Sequence, residues 1–249
     1  MTQRRALVCG CAHGIGAEGV RELAREGWRL ALLDRDEAVR ELADEVGAEF
    51  SAVVDAGDGD QLVSAAEAAV QALGGLDALW SNAGVQYKGG VSDATVAEWD
   101  TSWAVNVRSH AVLAQATVPA MRAAGGGSIL ITSSNSALLA EAEVLVYTVT
   151  KAAAIALVKC LATEHAGDQI RVNALAPGYV DTSFNTPIWS RVGGRDAFLA
   201  QIGQTIPLGR MASATEIGKL AAWMLGDERA SYITGQTIVA DGGEVLGFG

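Results

Sequence analysis

Seven short apolar runs, each closed by a polar or glycine motif and separated by helical stretches, most constrain what this chain can become. Arg5 to Cys9 stops at Gly10, Trp28 to Leu33 at Asp34, and Ala52 to Val54 at Asp55. Leu76 to Trp80 stops at Ser81-Asn82-Ala83-Gly84, and Ser128 to Ile131 at Thr132-Ser133-Ser134. Ile170 to Ala176 stops at Pro177-Gly178, and Thr237 to Ala240 at Asp241-Gly242-Gly243. Continuous apolar runs of this length read as strands buried on both faces.

The intervening stretches have helical spacing. Leu62, Ala66, Ala69 and Leu73 form one face of a helix over Asp60 to Leu73, ending at Gly74-Gly75. A second helix runs from Ser102 to the glycines at 125–127, with Trp103, Val107, Ala111 and Ala114 in step. Pro119 near its end is expected to kink it. Val144 to Glu164 is a long alanine-rich helix, and Thr215 to Leu225 a last one after Ser213. Strand–helix alternation with right-handed crossovers gives an α/β fold: a doubly wound, mostly parallel seven-stranded sheet with helices on both faces. Without a linker or composition shift, residues 1–249 read as one domain.

Composition narrows the function. Half the residues are hydrophobic, which excludes a disordered chain. The net charge of −11, without a basic cluster, argues against nucleic acid or an anionic membrane as partner. The three cysteines, Cys9, Cys11 and Cys160, make no disulfide framework and fit a reducing, cytoplasmic setting. Cys9, Cys11 and His13 suggest a zinc site, but His110 and His165 lie far along the chain, so no metal is expected. No signal peptide is expected, nor an apolar stretch long enough for a bilayer. A small-molecule substrate remains.

The turn Gly10-Cys11-Ala12-His13-Gly14-Ile15-Gly16 follows a strand and opens a helix. Glycines there let the backbone approach a pyrophosphate, and the helix N-terminus offers N–H groups to it. Asp34 lies 20 residues after Gly14, at the end of the second strand. A carboxylate there accepts hydrogen bonds from ribose hydroxyls and repels a 2′-phosphate, so NAD is expected over NADP; Arg35 is the opposing signal.

Tyr147 and Lys151 are four apart on the long helix and share a face. Bringing a tyrosine hydroxyl from about 10 to about 7 takes roughly 4 kcal/mol. One ammonium at about 4 Å, with an effective dielectric near 20, supplies about that much. Such a pair could act as a tuned acid/base. Each signal is common by itself, and their conjunction carries the argument.

Taken together, Gly10, Gly14 and Gly16, Asn82-Ala83-Gly84, Asn106, Ser134, Tyr147, Lys151, Pro177-Gly178 and Asp241-Gly242-Gly243 resemble the short-chain dehydrogenase/reductase family in its compact form, with a Rossmann-like fold. The likeness runs from Ala6 to Gly243. It implies a catalytic set of Asn106, Ser134, Tyr147 and Lys151. Tyr147 would be the general acid/base and Ser134 would bond the substrate oxygen. Lys151 would lower the Tyr147 pKa and bind the nicotinamide ribose, and Asn106 would hold a relay water behind it. Gly10, His13, Gly14, Ile15, Gly16, Asp34, Asp55, Asn82, Ala83, Gly84, Pro177, Gly178, Val180 and Thr182 would join Tyr147 and Lys151 in holding the cofactor. Of these, Asp55 would contact the adenine, and Val180 and Thr182 the nicotinamide carboxamide. The resemblance further implies a homotetramer built on the helices containing Asn106 and Tyr147.

Two positions depart from the family pattern: Cys9 replaces the usual threonine, and Ser81 the usual first asparagine of N-N-A-G. Residues 178–210 are expected to cover the substrate. There Trp189 could stack on it and Arg191 or Arg195 meet a carboxylate, while Glu141 and Glu143 would disfavour anions. The expected substrate is a polar secondary alcohol or ketone, a cyclic diol or sugar derivative first. The competing readings are an NAD-retaining epimerase or dehydratase and a non-catalytic nucleotide-binding regulator.

Overall fold

The computed structural model describes residues 3–189, 193–202, 205–226 and 228–247. Its main sheet has seven strands: β1 (Arg5–Cys9), β2 (Arg29–Asp34), β3 (Phe50–Val53), β4 (Ala78–Ser81), β5 (Gly127–Thr132), β6 (Ile170–Pro177) and β9 (Thr237–Ala240). Their order is β3-β2-β1-β4-β5-β6-β9, and every pairing is parallel. The order reverses between β1 and β4, which opens a crevice at the carboxyl ends of the strands.

Strand alternation sends successive side chains to two separate cores. Leu7, Cys9, Ala31 and Leu33 pack with α3 (Gly59–Leu73), α5 (Ser109–Ala123) and α6 (Leu145–His165). Ala6, Val8, Leu30 and Leu32 pack with α1 (Gly14–Arg25), α2 (Ala38–Val46) and α9 (Ala214–Gly226).

The expected helices are present with small changes at their ends. The stretch expected from Ser102 begins earlier, as α4 (Val96–Trp103), where Thr95 and Glu98 form a capping box. Pro119 lies inside α5, and a π-helical turn over Ala104–Arg108 joins α4 to α5. α6 is, by length and composition alone, apolar enough to cross a membrane, contrary to the sequence expectation. Here it is a core helix, with Ala154, Ile155, Val158 and Ala162 packed on the sheet.

Between β6 and α9 the chain forms the short pair β7 (Val180–Asp181) and β8 (Ala212–Ser213), with α7 (Thr186–Trp189) and α8 (Arg195–Ile202) between them. A small apolar cluster of Phe198, Ile202, Ile206 and Met211 holds this region together, with Tyr179 and Trp189 against it.

Candidate active site

The crevice is a cleft of about 680 Å³, within the roughly 300–1,000 Å³ range of small-molecule sites. At one end it meets the N-terminus of α1. A side chain at Gly10 would collide with the backbone nitrogen of Ala83 at 2.4 Å, so this position joins the β1 and β4 turns directly. Gly14 has φ +56°, and a side chain there would meet the Thr182 methyl at 3.2 Å. His13 precedes α1 without capping it through its side chain, and the first turn has no acidic residue. The helix N–H groups and partial positive charge therefore remain available to an anion. These features fit a dinucleotide pyrophosphate.

Gly10, His13, Gly14, Ile15, Asp34, Asp55, Asn82, Ala83 and Gly84 all line the cleft, as do Pro177, Gly178, Val180 and Thr182. Gly16 lies beneath the turn, where a side chain would strike the Gly10 carbonyl oxygen at 2.3 Å. Asp34 accepts from the Ala12 N–H at 2.8 Å and the Asp36 N–H at 3.0 Å, tying the glycine turn to the end of β2. The zinc-like trio is dispersed: Cys9 and Cys11 are buried, and the His13 ring pairs with Asp36 at 3.0 Å. Burial pushes the Cys9 thiol up to about 12.

At the other end Tyr147 and Ser134 share the cleft wall, and the Ser134 hydroxyl favours ionisation of Tyr147. Ser134 follows β5, where its Oγ accepts from the Ser136 N–H at 3.2 Å. Lys151 is buried and donates to the Thr132 carbonyl at 2.8 Å. Ser133 donates to the Lys151 carbonyl, also at 2.8 Å, so β5 and α6 are clasped twice. Burial draws Lys151 down to about 8. Burial also pushes Tyr147 up to about 12; the Ser134 hydroxyl opposes this and the Glu141 charge adds to it. The lowering of the Tyr147 pKa anticipated from Lys151 is not among the influences on this hydroxyl, on which loss of solvation dominates.

Asn106 stands behind the wall, fully buried in the π-helical turn. Its side chain is committed to Val85 and to Thr150 Oγ1, the latter at 3.0 Å. Ser81, one of the two departures, meets His110 Nδ1 at 2.6 Å. Burial, with the Lys151 charge, holds this imidazole down at about 3, hence neutral.

The substrate segment differs from expectation. Trp189 packs on the apolar cluster and is not part of the cleft wall; Phe184 is, with its ring 6.3 Å from that of Tyr147. Arg195 is paired with Asp181, with Nε 3.1 Å from Oδ1, and Arg191 lies outside the described residues. Asn135, Tyr179 and Glu244 were not singled out from sequence. Asn135 and Tyr179 line the cleft, and Asn135 holds Glu244 beside it. The one available signal was position: Asn135 follows Ser134, and Glu244 follows the closing Asp241-Gly242-Gly243.

Comparison with known proteins agrees with this geometry. The family model described as Enoyl-(Acyl carrier protein) reductase matches residues 10–244. Oxidoreductase UcpA of Escherichia coli K12 is 36% identical over 99% of this chain and 96% of its own. A short-chain dehydrogenase/reductase of Serratia marcescens superposes with TM-score 0.88 at 32% identity, covering 97% of this chain and 98% of that one. L-sorbose reductase of Gluconobacter frateurii, solved with NADPH and L-sorbose, gives TM-score 0.90 at 30% identity, over 98% and 97%.

Proposed function

The chain belongs to the short-chain dehydrogenase/reductase family, oxidoreductases that act on alcohol and ketone groups, and from that premise we propose that it moves hydride between NAD(H) and a polar secondary alcohol or ketone. Cyclic diols and sugar derivatives are the first substrates to try. The observation that carries the reading is the convergence of Ser134, Tyr147 and buried Lys151 on one wall of the cleft that also receives the uncapped N-terminus of α1.

When bound, the nicotinamide supplies the hydride donor or acceptor. The chain's own groups bind, orient and move the proton. Backbone N–H groups of the Gly10–Gly16 turn would hold the pyrophosphate, and Asp34 the adenine-side ribose. Asp55 would contact the adenine, with Asn82 to Gly84, Pro177 and Gly178 lining the cofactor. Val180 and Thr182 would meet the carboxamide, and Lys151 the second ribose. Ser134 orients the substrate oxygen, and Tyr147 Oη gives it a proton or takes one.

With its hydroxyl pushed up to about 12, Tyr147 is protonated near neutrality. It is therefore ready as the acid for ketone reduction, while alcohol oxidation gains as pH rises. NAD over NADP is favoured by the Asp34 carboxylate and by Asp36 beside Arg35, whose charge they offset. The L-sorbose reductase, by contrast, was solved with NADPH. Residues 1–249 would serve as one catalytic domain, with 178–210 covering the substrate. Half-exposed Trp103 on α4 and Val149 on α6 suit a homotetramer built on that face. The unpaired cysteines suit a cytoplasmic setting. NADH absorbance over a panel of secondary alcohols and ketones tests the reading, and no turnover of any member would reject it.

A further inference from the structure

We propose that Glu141 and Glu244 make the substrate end of the cleft selective for molecules that carry hydrogen-bond donors and no anionic group. This rests on the oxidoreductase reading above and adds a substrate class to it. The two carboxylates make no site of their own: Glu141 lines the cleft that Ser134 and Tyr147 already define, and Glu244 lies beside it, bonded to the cleft residue Asn135.

Both are positioned by the residues that follow Ser134. Asn135 Nδ2 donates to Glu244 Oε2 at 2.8 Å, and Ser136 Oγ donates to Glu141 Oε2 at 2.6 Å. Glu244 is fixed from its own side as well. Asp241 accepts from the N–H groups of Gly243 and Val245 at 2.9 and 2.8 Å, shaping the turn that carries it. Gly178 leaves room for it, since a side chain there would come within 3.2 Å of Glu244 Oε2. The carboxylates are thus held in place, and an ionised carboxylate has acceptor capacity beyond one hydrogen bond.

Their charges reach the reacting groups. Burial raises the pKa of Tyr147 and of half-buried Glu244; Glu141 adds to both, and Asp241 to that of Glu244. Tyr179, between them, is pushed up to about 12 by burial and by Glu141, Glu244 and Glu143. Among the described residues, the basic side chains lining the cleft are His13, Arg35 and Lys151. Lys151 is held by the Thr132 carbonyl toward the cofactor side, while His13 and Arg35 sit with Asp36 at the end of β2. Across Tyr179, a cavity of about 220 Å³ carries Glu244, Gln201 and Thr205. A hydroxylated tail would find acceptors there, whereas a carboxylate or phosphate would meet like charge.

The test compares matched pairs, a neutral ketose or polyol against the sugar acid of the same chain length, on wild type, Glu141→Gln, Glu244→Gln and the double variant. Wild type is expected to favour the neutral member by at least about tenfold in kcat/KM. The double variant should cut that preference by about tenfold, chiefly through better use of the acid. Cofactor affinity, read separately, should stay at the wild-type value and report intact folding. Calorimetric titration of the cofactor-loaded protein with both members reads binding independently of turnover. Equal binding of acid and neutral member, an unchanged preference in the double variant, or binding of neither member would overturn the inference. Failure on the broad alcohol and ketone panel would instead reject the oxidoreductase reading beneath it.

Discussion

The side-chain amide of Asn106 holds both main-chain groups of Val85, accepting from its N–H at 2.8 Å and donating to its carbonyl at 2.9 Å. This fixes the chain just past Asn82-Ala83-Gly84, under the reacting end of the cleft. Asn106→Ala leaves the part-buried N–H and C=O of Val85 without their side-chain partner, a cost of about 2–4 kcal/mol. The midpoint of thermal unfolding should fall by roughly 5–15 °C in a chain of this size. A melt within two degrees of wild type would show that Val85 finds other partners.

Asp34→Ala should weaken NAD binding and bring NADP closer to it, since it removes both the ribose acceptor and the charge that repels a 2′-phosphate. Fluorescence titration with each dinucleotide checks this. If wild type binds NADP more tightly than NAD, the role given to Asp34 is wrong.

The Glu141 charge opposes ionisation of buried Tyr147. Glu141→Gln should therefore lower the Tyr147 pKa. The rise of alcohol-oxidation rate with pH should move to lower pH in the variant, with cofactor affinity unchanged. A pH–rate profile superimposable on wild type would contradict the coupling.

Burial lowers Lys151 to about 8 from 10.5. Between those values the unfolded chain holds a proton that the native protein has released, so this residue's contribution to stability rises with pH there. Lys151→Met removes the cost of burying an ammonium. The variant should be more stable than wild type near pH 7, by up to about 3 kcal/mol, with the advantage shrinking toward pH 10.5. Urea unfolding at several pH values measures it, and a pH-independent difference would refute the assignment. Turnover should be lost in the same variant.

The sheet was legible because each buried run ends at its own motif: Arg5 to Cys9 and Thr237 to Ala240 match the observed strands end to end. β7 and β8, two residues each, are too short to leave a periodic signal. α2 escaped notice although Val39, Leu42 and Ala43 face the core, because the charged run before it hides the start of the pattern. At the site, helix period placed Tyr147 and Lys151 on one face, a local property, and the family resemblance joined Ser134, at a strand end, to them. The partners of Glu244 and Arg195 were not legible. Asn135 lies 109 residues from Glu244, and only tertiary packing joins them. Arg195 looked like a substrate ligand for the same reason: its partner Asp181 lies 14 residues away, and folding alone brings the two together. Sequence reasoning also weighed the ammonium of Lys151 but not the burial of Tyr147, which acts on its hydroxyl in the opposite direction.

The central claim is that Tyr147 moves the proton that accompanies hydride transfer. NADH absorbance, followed with wild type and Tyr147→Phe over one panel of secondary alcohols and ketones, tests it most directly. The phenylalanine keeps the ring and removes the hydroxyl. The rate should fall by about 10²–10⁴-fold, while NADH still binds. Equal rates in the two proteins would contradict the claim.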